Sequence, residues 1–165
     1  METLHQRAQA VIAAFAARGW RLAIAESCTG GLISATLTGQ PGSSALLDAS
    51  IVAYSNEAKE ALLHVPKDMM IAHGAVSAPV AAQMALAARL AAGSSVGLGV
   101  TGVAGPGGGT PDKPVGRIYL ALSRATGETE AQTFDFAGDR AAVRAQTVAE
   151  ALGLLLNAAG ADGSP

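Results

Sequence analysis

WRLAIAESCTGGLISATL, residues 20–37, is the stretch of sequence that decides the fold. Its first six residues, from Trp20 to Ala25, are mainly apolar and predict a short buried strand. Residues 26–31 are polar or glycine and predict a tight turn, and the apolar residues between Leu32 and Leu37 predict a helix after it. A strand, a tight turn and a helix in this order predict one unit of an α/β sheet.

The same alternation continues on both sides of this unit. Apolar residues at helical spacing predict an amino-terminal helix that ends at Gly19. Further helices are predicted to be capped or opened by Asn56, Pro66, Ser77 and Asp139. Further strands are predicted at residues 45–54, 95–101, 116–124 and 128–136. The pattern predicts a three-layer α/β/α sandwich with a mixed, mostly parallel sheet of about five strands.

No linker divides the sequence, so we expect residues 1–165 to form a single domain, with residues 160–165 as a loose tail. Hydrophobic residues make up 50% of the chain and charged residues 15%, which is typical of a compact fold. The net charge of −2 and the pI of about 5.9 show that the chain has no strong basic field to bind a polyanion. We therefore expect no nucleic-acid partner.

The sequence also argues against export, membrane insertion and metal binding. Cys28 is the single cysteine, which excludes an intrachain disulfide, and the amino terminus lacks the apolar core of a signal peptide. The uncharged stretches 27–47 and 90–111 are interrupted by Gly, Pro, Ser and Thr, so neither predicts a membrane span. His, Cys and carboxylate residues show no metal-ligand spacing. We expect a cytoplasmic protein without metal or cofactor.

The first candidate site is the turn after the first strand. Ser27 should lie at the carboxyl edge of the sheet, where open α/β proteins bind their ligands. The N–H groups at the start of the next helix can stabilise an oxyanion, and Gly30 and Gly31 allow a close approach of the backbone. The alternative interpretation is an ordinary turn in which Ser27 or Thr29 caps the helix.

A serine nucleophile needs a base, and the segment Tyr54-Ser-Asn-Glu-Ala-Lys59 offers one at the end of the second strand. Lys59 can act as a base if burial or a nearby cation lowers its pKa, although an isolated lysine is usually solvated. The histidines do not fall at evident strand ends; they are His5, His64 and His73. Cys28 is a rival nucleophile, with a buried apolar role as its alternative.

Two further segments suit a phosphorylated ligand. The loop 101–114 is rich in glycine, and its Thr101, Gly102 and Gly105 are candidates to contact a phosphate or to cover a cleft. The spacing Gly97-x-Gly99-x-x-Gly102 matches a dinucleotide fingerprint, but its first two glycines lie within a predicted strand and no helix follows. Arg140 and Arg144 lie one helical turn apart, and either can bind a phosphate or remain in water.

Taken together, six segments resemble the CinA C-terminal domain family. They are AESCTGGLISATLT (25–38), PGSS (41–44), YSNEAKE (54–60), HGAVS (73–77), VTGVAGPGGGTPDKPVG (100–116) and GDR with VR (138–144). The resemblance covers about residues 25–156 and suggests a free-standing form without the larger domain of full-length CinA. It implies an α/β/α sandwich, a homodimer and an enzyme that deamidates nicotinamide mononucleotide (NMN).

The resemblance also implies roles for individual residues. Ser27 corresponds to the nucleophile, Tyr54 and Lys59 to the catalytic tyrosine and lysine, and Arg140 to the active-site arginine, with Arg144 as the alternative. Turn amides at Thr29, Gly30 and Gly31 are expected to hold the oxyanion. Two alternatives remain at this stage, namely a non-catalytic module that binds a phosphorylated ligand or a protein, and a hydrolase that uses Cys28.

Overall fold

The computed structural model describes residues 3–160. Its helices are α1 (Leu4–Arg18), α2 (Leu32–Thr38), α3 (Asn56–Leu63), α4 (Lys67–His73), α5 (Ala78–Ala92) and α6 (Arg140–Gly160). Its strands are β1 (Leu22–Glu26), β2 (Leu47–Val52), β3 (Val96–Gly102), β4 (Arg117–Arg124) and β5 (Thr129–Asp135), and a short 3-10 turn at Ser43–Ala45 precedes β2. None of the helices within residues 3–160 has the length and hydropathy needed to cross a membrane.

The five strands form one sheet in the order β2-β1-β3-β4-β5. β1 pairs in parallel with both β2 and β3, whereas β4 is antiparallel to β3 and to β5. Four strands therefore run in one direction and β4 runs against them. This arrangement confirms the predicted mixed, mostly parallel sheet, and it places the carboxyl ends of β1, β2 and β3 side by side.

Helices cover both faces of the sheet and complete the predicted three-layer sandwich. On one face, α1, α2 and α6 enclose the larger core, which includes Phe15, Ile24, Leu98 and Leu152. On the other face, α5 crosses β1, β3 and β4, and α3 and α4 pack beside it. The alternation of side chains along β1 explains both cores, because Ile24 faces the first and Ala23 and Ala25 face the second.

Two glycines of β3 set the distance between the sheet and α5. A Cβ atom on Gly99 would collide with the carbonyl oxygen of Ala81 and would lie 2.6 Å from the amide nitrogen of Ala85. Gly97 is crowded in the same way by the Ala85 carbonyl. The apparent dinucleotide fingerprint therefore has a packing explanation, since these glycines lie inside a strand and admit a helix close to the sheet.

We expect Gly99→Ala to lower the free energy of unfolding by about 2–3 kcal/mol, because the new methyl group overpacks the contact between β3 and α5. Gly153→Ala is the matched control, since Gly153 lies within α6 and a Cβ there meets no atom within 4 Å. That change should raise the free energy of unfolding by about 0.5–1 kcal/mol. Urea denaturation measures both values, and equal stability of the two variants would contradict the packing explanation.

The helix boundaries agree with the predicted signals except in two places. Ser55, and not Asn56, caps α3, because the Ser55 hydroxyl accepts the Ala58 amide at 3.1 Å and Asn56 is already the first helical residue. α6 extends to Gly160, so the first residue of the expected tail is helical, and residues 161–165 lie outside the described part. The Asp139 carboxylate accepts the Ala142 amide at 2.8 Å and caps α6 as predicted.

Candidate active site

The carboxyl ends of the three parallel strands surround a cleft of about 290 Å³. Ser27 follows β1, Tyr54 follows β2 and Thr101 lies near the end of β3, and all three residues line the cleft. The strand ends are held together by backbone bonds, in which the Ser27 amide donates to the Val100 carbonyl at 3.1 Å. The sheet topology therefore brings together segments that are distant in sequence.

Ser27 and Lys59 meet at the bottom of this cleft. The Lys59 Nζ atom lies 2.9 Å from the Ser27 Oγ atom and donates to it. Nζ also donates to the backbone carbonyl of Tyr54 at 3.2 Å. Both side chains are nearly inaccessible, with exposed fractions of 7% for Ser27 and 3% for Lys59. The geometry satisfies the distance that a nucleophile and its base require.

The surroundings of Lys59 favour its uncharged form. Burial lowers the pKa of the Lys59 ammonium below its ordinary value, because the low-dielectric interior penalises a charge. No carboxylate in residues 3–160 forms an ion pair with Lys59 to offset this penalty. A buried lysine amine without an anionic partner can accept a proton from a neighbouring hydroxyl.

Cys28 lines the same cleft but is poorly suited to be the nucleophile. Burial raises the pKa of the Cys28 thiol to about 11, which leaves little thiolate at neutral pH. Its side chain also belongs to the hydrophobic core between the sheet and α1 and α6. The buried apolar role weighed for this cysteine therefore matches its environment better than a reactive role.

The start of α2 differs from the sequence-based expectation. The Gly31, Ile33 and Ser34 amides donate to the carboxylate of Glu26, and the Gly30 amide donates to the Ser27 carbonyl at 3.0 Å. These N–H groups are therefore occupied, which contradicts the expectation that Gly30 and Gly31 offer unbound amides to an oxyanion. Within residues 3–160, the Cys28 and Thr29 amides donate no backbone hydrogen bond.

Thr29 and Arg144 stabilise this turn from the side of α6. The Arg144 Nη2 atom donates to the Thr29 carbonyl at 2.7 Å, and Thr29 is fully buried. Arg144 does not line the cleft and instead borders a shallow depression beside Arg140. Of the two arginines left open by the sequence, Arg144 therefore contacts the turn and Arg140 reaches the cleft.

Arg140 links two walls of the cleft. Its Nη1 atom donates to the Gly105 carbonyl at 2.8 Å, and its Nη2 atom donates to the Tyr54 hydroxyl at 2.9 Å. Tyr54 is largely exposed at the mouth of the cleft, and its hydroxyl therefore lies with Arg140 and not with Lys59. This pair places a cationic guanidinium at the entrance, next to the glycine-rich loop.

The glycine-rich loop forms a further wall of the cleft. Gly105, Gly107 and Gly108 of this loop line the cleft, as does Gly102 at the end of β3. A Cβ on Gly102 would press on Ile118, and one on Gly105 would press on Val115. The buried Thr101 hydroxyl donates to the Ala75 carbonyl at 3.0 Å and is therefore used within the protein. Thr101 thus holds the segment at Ala75 in place. Its hydroxyl could donate to a ligand only after breaking the hydrogen bond to the Ala75 carbonyl.

Sequence reasoning missed several residues of the site. Asn56, Ala75 and Val76 line the cleft, and Glu26 organises the turn that carries Ser27. The sequence predicts Asn56 only as a helix cap, although it lies four residues after the end of β2 and three before Lys59, beside the candidate base. Within residues 3–160, no group of three or more His, Cys, Asp and Glu residues is placed to bind a metal ion.

Comparisons with known proteins extend these observations. The CinA C-terminal domain matches residues 4–159. A CinA-like protein of Anaeromyxobacter sp. (strain K) is 53% identical over 145 residues, which cover 88% of this chain and 35% of that protein. A CinA-like protein of Geobacter sulfurreducens is 51% identical over 143 residues, 87% of this chain and 34% of that protein. The chain thus spans about a third of the length of these curated relatives.

Solved structures match over nearly the whole chain. The competence damage-inducible protein A from Klebsiella pneumoniae superposes with a TM-score of 0.94 at 36% identity and covers 98% of this chain and 100% of that one. A competence/damage inducible protein from Agrobacterium tumefaciens has a TM-score of 0.90 at 38% identity, with coverage of 95% and 99%. The family match, the relatives and the shared fold agree, and the chain belongs to the CinA C-terminal domain family.

Proposed function

We propose that the protein is an amidohydrolase that converts NMN and water to nicotinate mononucleotide and ammonia. The observation that carries this proposal is the 2.9 Å contact between Ser27 Oγ and Lys59 Nζ inside a cleft. A hydroxyl within hydrogen-bond reach of an amine whose pKa is lowered by burial suits acyl transfer through a serine ester. The family resemblance supplies the identity of the carboxamide.

In the first half of the reaction, Ser27 Oγ attacks the carboxamide carbon and its proton moves to Lys59 Nζ. The carbonyl oxygen becomes an oxyanion, for which we propose the Cys28 and Thr29 amides, the two amides of the turn 27–31 that donate neither to a backbone carbonyl nor to the Glu26 carboxylate within residues 3–160. The carbon–nitrogen bond then breaks, Lys59 returns the proton to the leaving group, and ammonia departs. The product of this half is an ester between Ser27 and the nicotinoyl group.

In the second half, a water molecule attacks the ester carbon and Lys59 accepts the proton of that water. The bond between the carbon and Ser27 Oγ breaks, and the Lys59 proton restores the serine hydroxyl. Nicotinate mononucleotide then leaves, and its new carboxyl group releases the second proton of the water to the solvent to form the carboxylate. The same base therefore acts in both halves, and its return to the uncharged form after each half depends on its buried position.

The charges of the cleft fit a phosphorylated amide. Of the described residues that line it, Lys59 and Arg140 are the ones with a basic side chain, and none carries a carboxylate. We propose that Arg140 and the backbone of Gly107 and Gly108, which line the cleft, contact the phosphate near the entrance. The pyridinium ring of NMN carries a positive charge, which further disfavours protonation of Lys59 when it binds nearby.

We expect Arg140→Ala to raise KM for NMN by roughly 10–100-fold, because a charge-assisted contact with the phosphate is lost. Arg144→Ala is the matched variant one helical turn away. It should lower kcat more than it raises KM, since Arg144 contacts the turn at Thr29 and not the cleft. Steady-state kinetics of both variants measure the difference, and equal changes in KM would argue against this assignment.

The proposed activity is tested by incubating the purified protein with NMN and measuring ammonia together with nicotinate mononucleotide. The two products should appear in equal amounts. Saturable binding of NMN without release of either product would instead support the non-catalytic module considered from the sequence. Release of ammonia from other carboxamides but not from NMN would support the hydrolase activity and would contradict NMN as its substrate.

A further inference from the structure

Glu26 is a buried carboxylate directly before the proposed nucleophile. It is the last residue of β1, and its exposed fraction is 0%. Oε2 accepts the Gly31 and Ile33 amides, each at 3.1 Å. Oε1 accepts the Ser34 amide at 2.9 Å and the Ser34 hydroxyl at 2.5 Å. Four donors therefore converge on its two oxygens, which matches an ionised carboxylate that only accepts hydrogen bonds.

These contacts make Glu26 the cap of α2, although it lies five residues before the conventional capping position. Gly31 occupies that position and has no side chain to supply a hydrogen bond. Uncapped amides at a buried helix start lose hydrogen bonds to water without replacement, so an acceptor is required. The negative charge of Glu26 also complements the positive end of the helix dipole.

The same contacts close a ring around the turn that carries Ser27. The chain leaves β1 at Glu26, passes through residues 27–30 and returns to the Glu26 carboxylate at Gly31. Within the ring, Gly30 and Gly31 have positive φ values of 58° and 95°, so the backbone depends on a specific conformation there. On the strand side, the Ala53 amide donates to the Glu26 carbonyl at 2.9 Å. Glu26 thus joins β1, β2 and α2 at the position of the nucleophile.

We propose that Glu26 is a positioning residue for the reaction, which holds the turn so that Ser27 Oγ stays within reach of Lys59 Nζ. Because the Glu26 carboxylate accepts hydrogen bonds from α2, it does not form an ion pair with Lys59. Lys59 therefore has no anionic partner at the turn. The inference rests on the proposed amidohydrolase function for its kinetic consequence. Its structural consequence, a turn held by one carboxylate, is measurable without any substrate.

The first test is Glu26→Gln, which keeps the size of the side chain and places an amide NH2 where donors already converge. We expect kcat per folded molecule to fall by about 10²-fold while KM for NMN changes by less than about threefold, because a small displacement of the nucleophile affects chemistry more than binding. Glu26→Asp keeps the charge but shortens the reach to α2. It should therefore show the same kinetic pattern and not restore the rate.

Thr3→Ala is the matched control for general loss of a helix cap. Thr3 caps α1 by accepting the Gln6 amide at 3.2 Å and lies outside the cleft. This variant should lose stability and keep the wild-type kcat per folded molecule. If the activity lost in Glu26→Gln is accounted for by its unfolded fraction alone, Glu26 is a structural residue and the proposal is overturned.

Amide hydrogen exchange supplies the second test, and it does not depend on NMN turnover. In Glu26→Gln, exchange at Gly31, Ile33 and Ser34 should accelerate by at least about tenfold, while the amides of β3 keep their protection. Wild-type protection at these three positions would overturn the proposal. If the wild-type protein fails to deamidate NMN yet the variant loses this protection, the proposed function fails and the role of Glu26 in holding the turn stands.

Discussion

Replacing Ser27 with alanine is expected to reduce NMN deamidation by at least about 10⁴-fold, because the variant cannot form the ester intermediate. The change removes one small hydroxyl from a side chain that is 7% exposed, and its partner Lys59 keeps the Tyr54 carbonyl as an acceptor. The fold should therefore be retained. Circular dichroism and urea denaturation would verify this, and ammonia release from NMN would measure the activity.

Cys28→Ala is the control for the Ser27 prediction because it changes the adjacent side chain in the same cleft. The raised pKa of the Cys28 thiol leaves it protonated, and its backbone amide is preserved in the variant. We expect most of the activity to remain. A variant at Cys28 that loses activity as completely as Ser27→Ala, together with inactivation of the wild type by thiol alkylation, would favour the cysteine hydrolase over the serine mechanism.

Lys59→Met should have the second largest effect and lower kcat by roughly 10³–10⁴-fold, since the base that accepts and returns the proton is lost. Methionine fills a similar volume at this buried position. Lys67→Met is the matched control, because Lys67 is an exposed lysine on α4, and its activity should equal that of the wild type. Loss of activity in both variants, or in neither, would contradict the role of Lys59.

The pH dependence follows from the lowered pKa of Lys59. The wild-type kcat/KM should rise as Lys59 loses its proton, and burial moves this rise below the ordinary lysine range. In the unfolded chain Lys59 has its ordinary pKa. Between the lowered pKa of the folded chain and this ordinary pKa, the unfolded chain binds a proton that the folded chain lacks, so the free energy of unfolding should increase with pH there. Lys59→Met removes this dependence and should raise the free energy of unfolding at neutral pH by about 1 kcal/mol.

Much of the fold was predictable because local signals and periodicity agreed. Gly19 and Gly93 end helices in the left-handed conformation, and Ser77 with Pro79 starts α5, as such residues commonly do. The meeting of Ser27 and Lys59 was also predictable, since both follow strands that lie parallel and adjacent. The implied homodimer and the roles of the site residues stay predictions.

Other features of the site depend on three-dimensional contacts that no sequence pattern reveals. Arg140 and Arg144 share one helix face, but one turn of α6 separates them, so one reaches the cleft and the other reaches Thr29. The sequence did not predict that the amides at the start of α2 are hydrogen-bonded. The acceptor is Glu26 at the end of β1, whereas a cap is expected at the position directly before the helix. Ser55 and Asn56 are both residue types that cap helices, and the sequence alone does not decide between them; in the structure the Ser55 hydroxyl accepts the Ala58 amide.

The most direct measurement of the central claim is rapid-quench mass spectrometry of the enzyme during its first turnover of NMN. We predict a first release of ammonia matched by a nicotinate mononucleotide ester on the peptide that contains Ser27, with the adduct located on the serine oxygen. A first release of ammonia equal to the enzyme concentration with an unmodified Ser27, or with the adduct on Cys28, would contradict the serine mechanism.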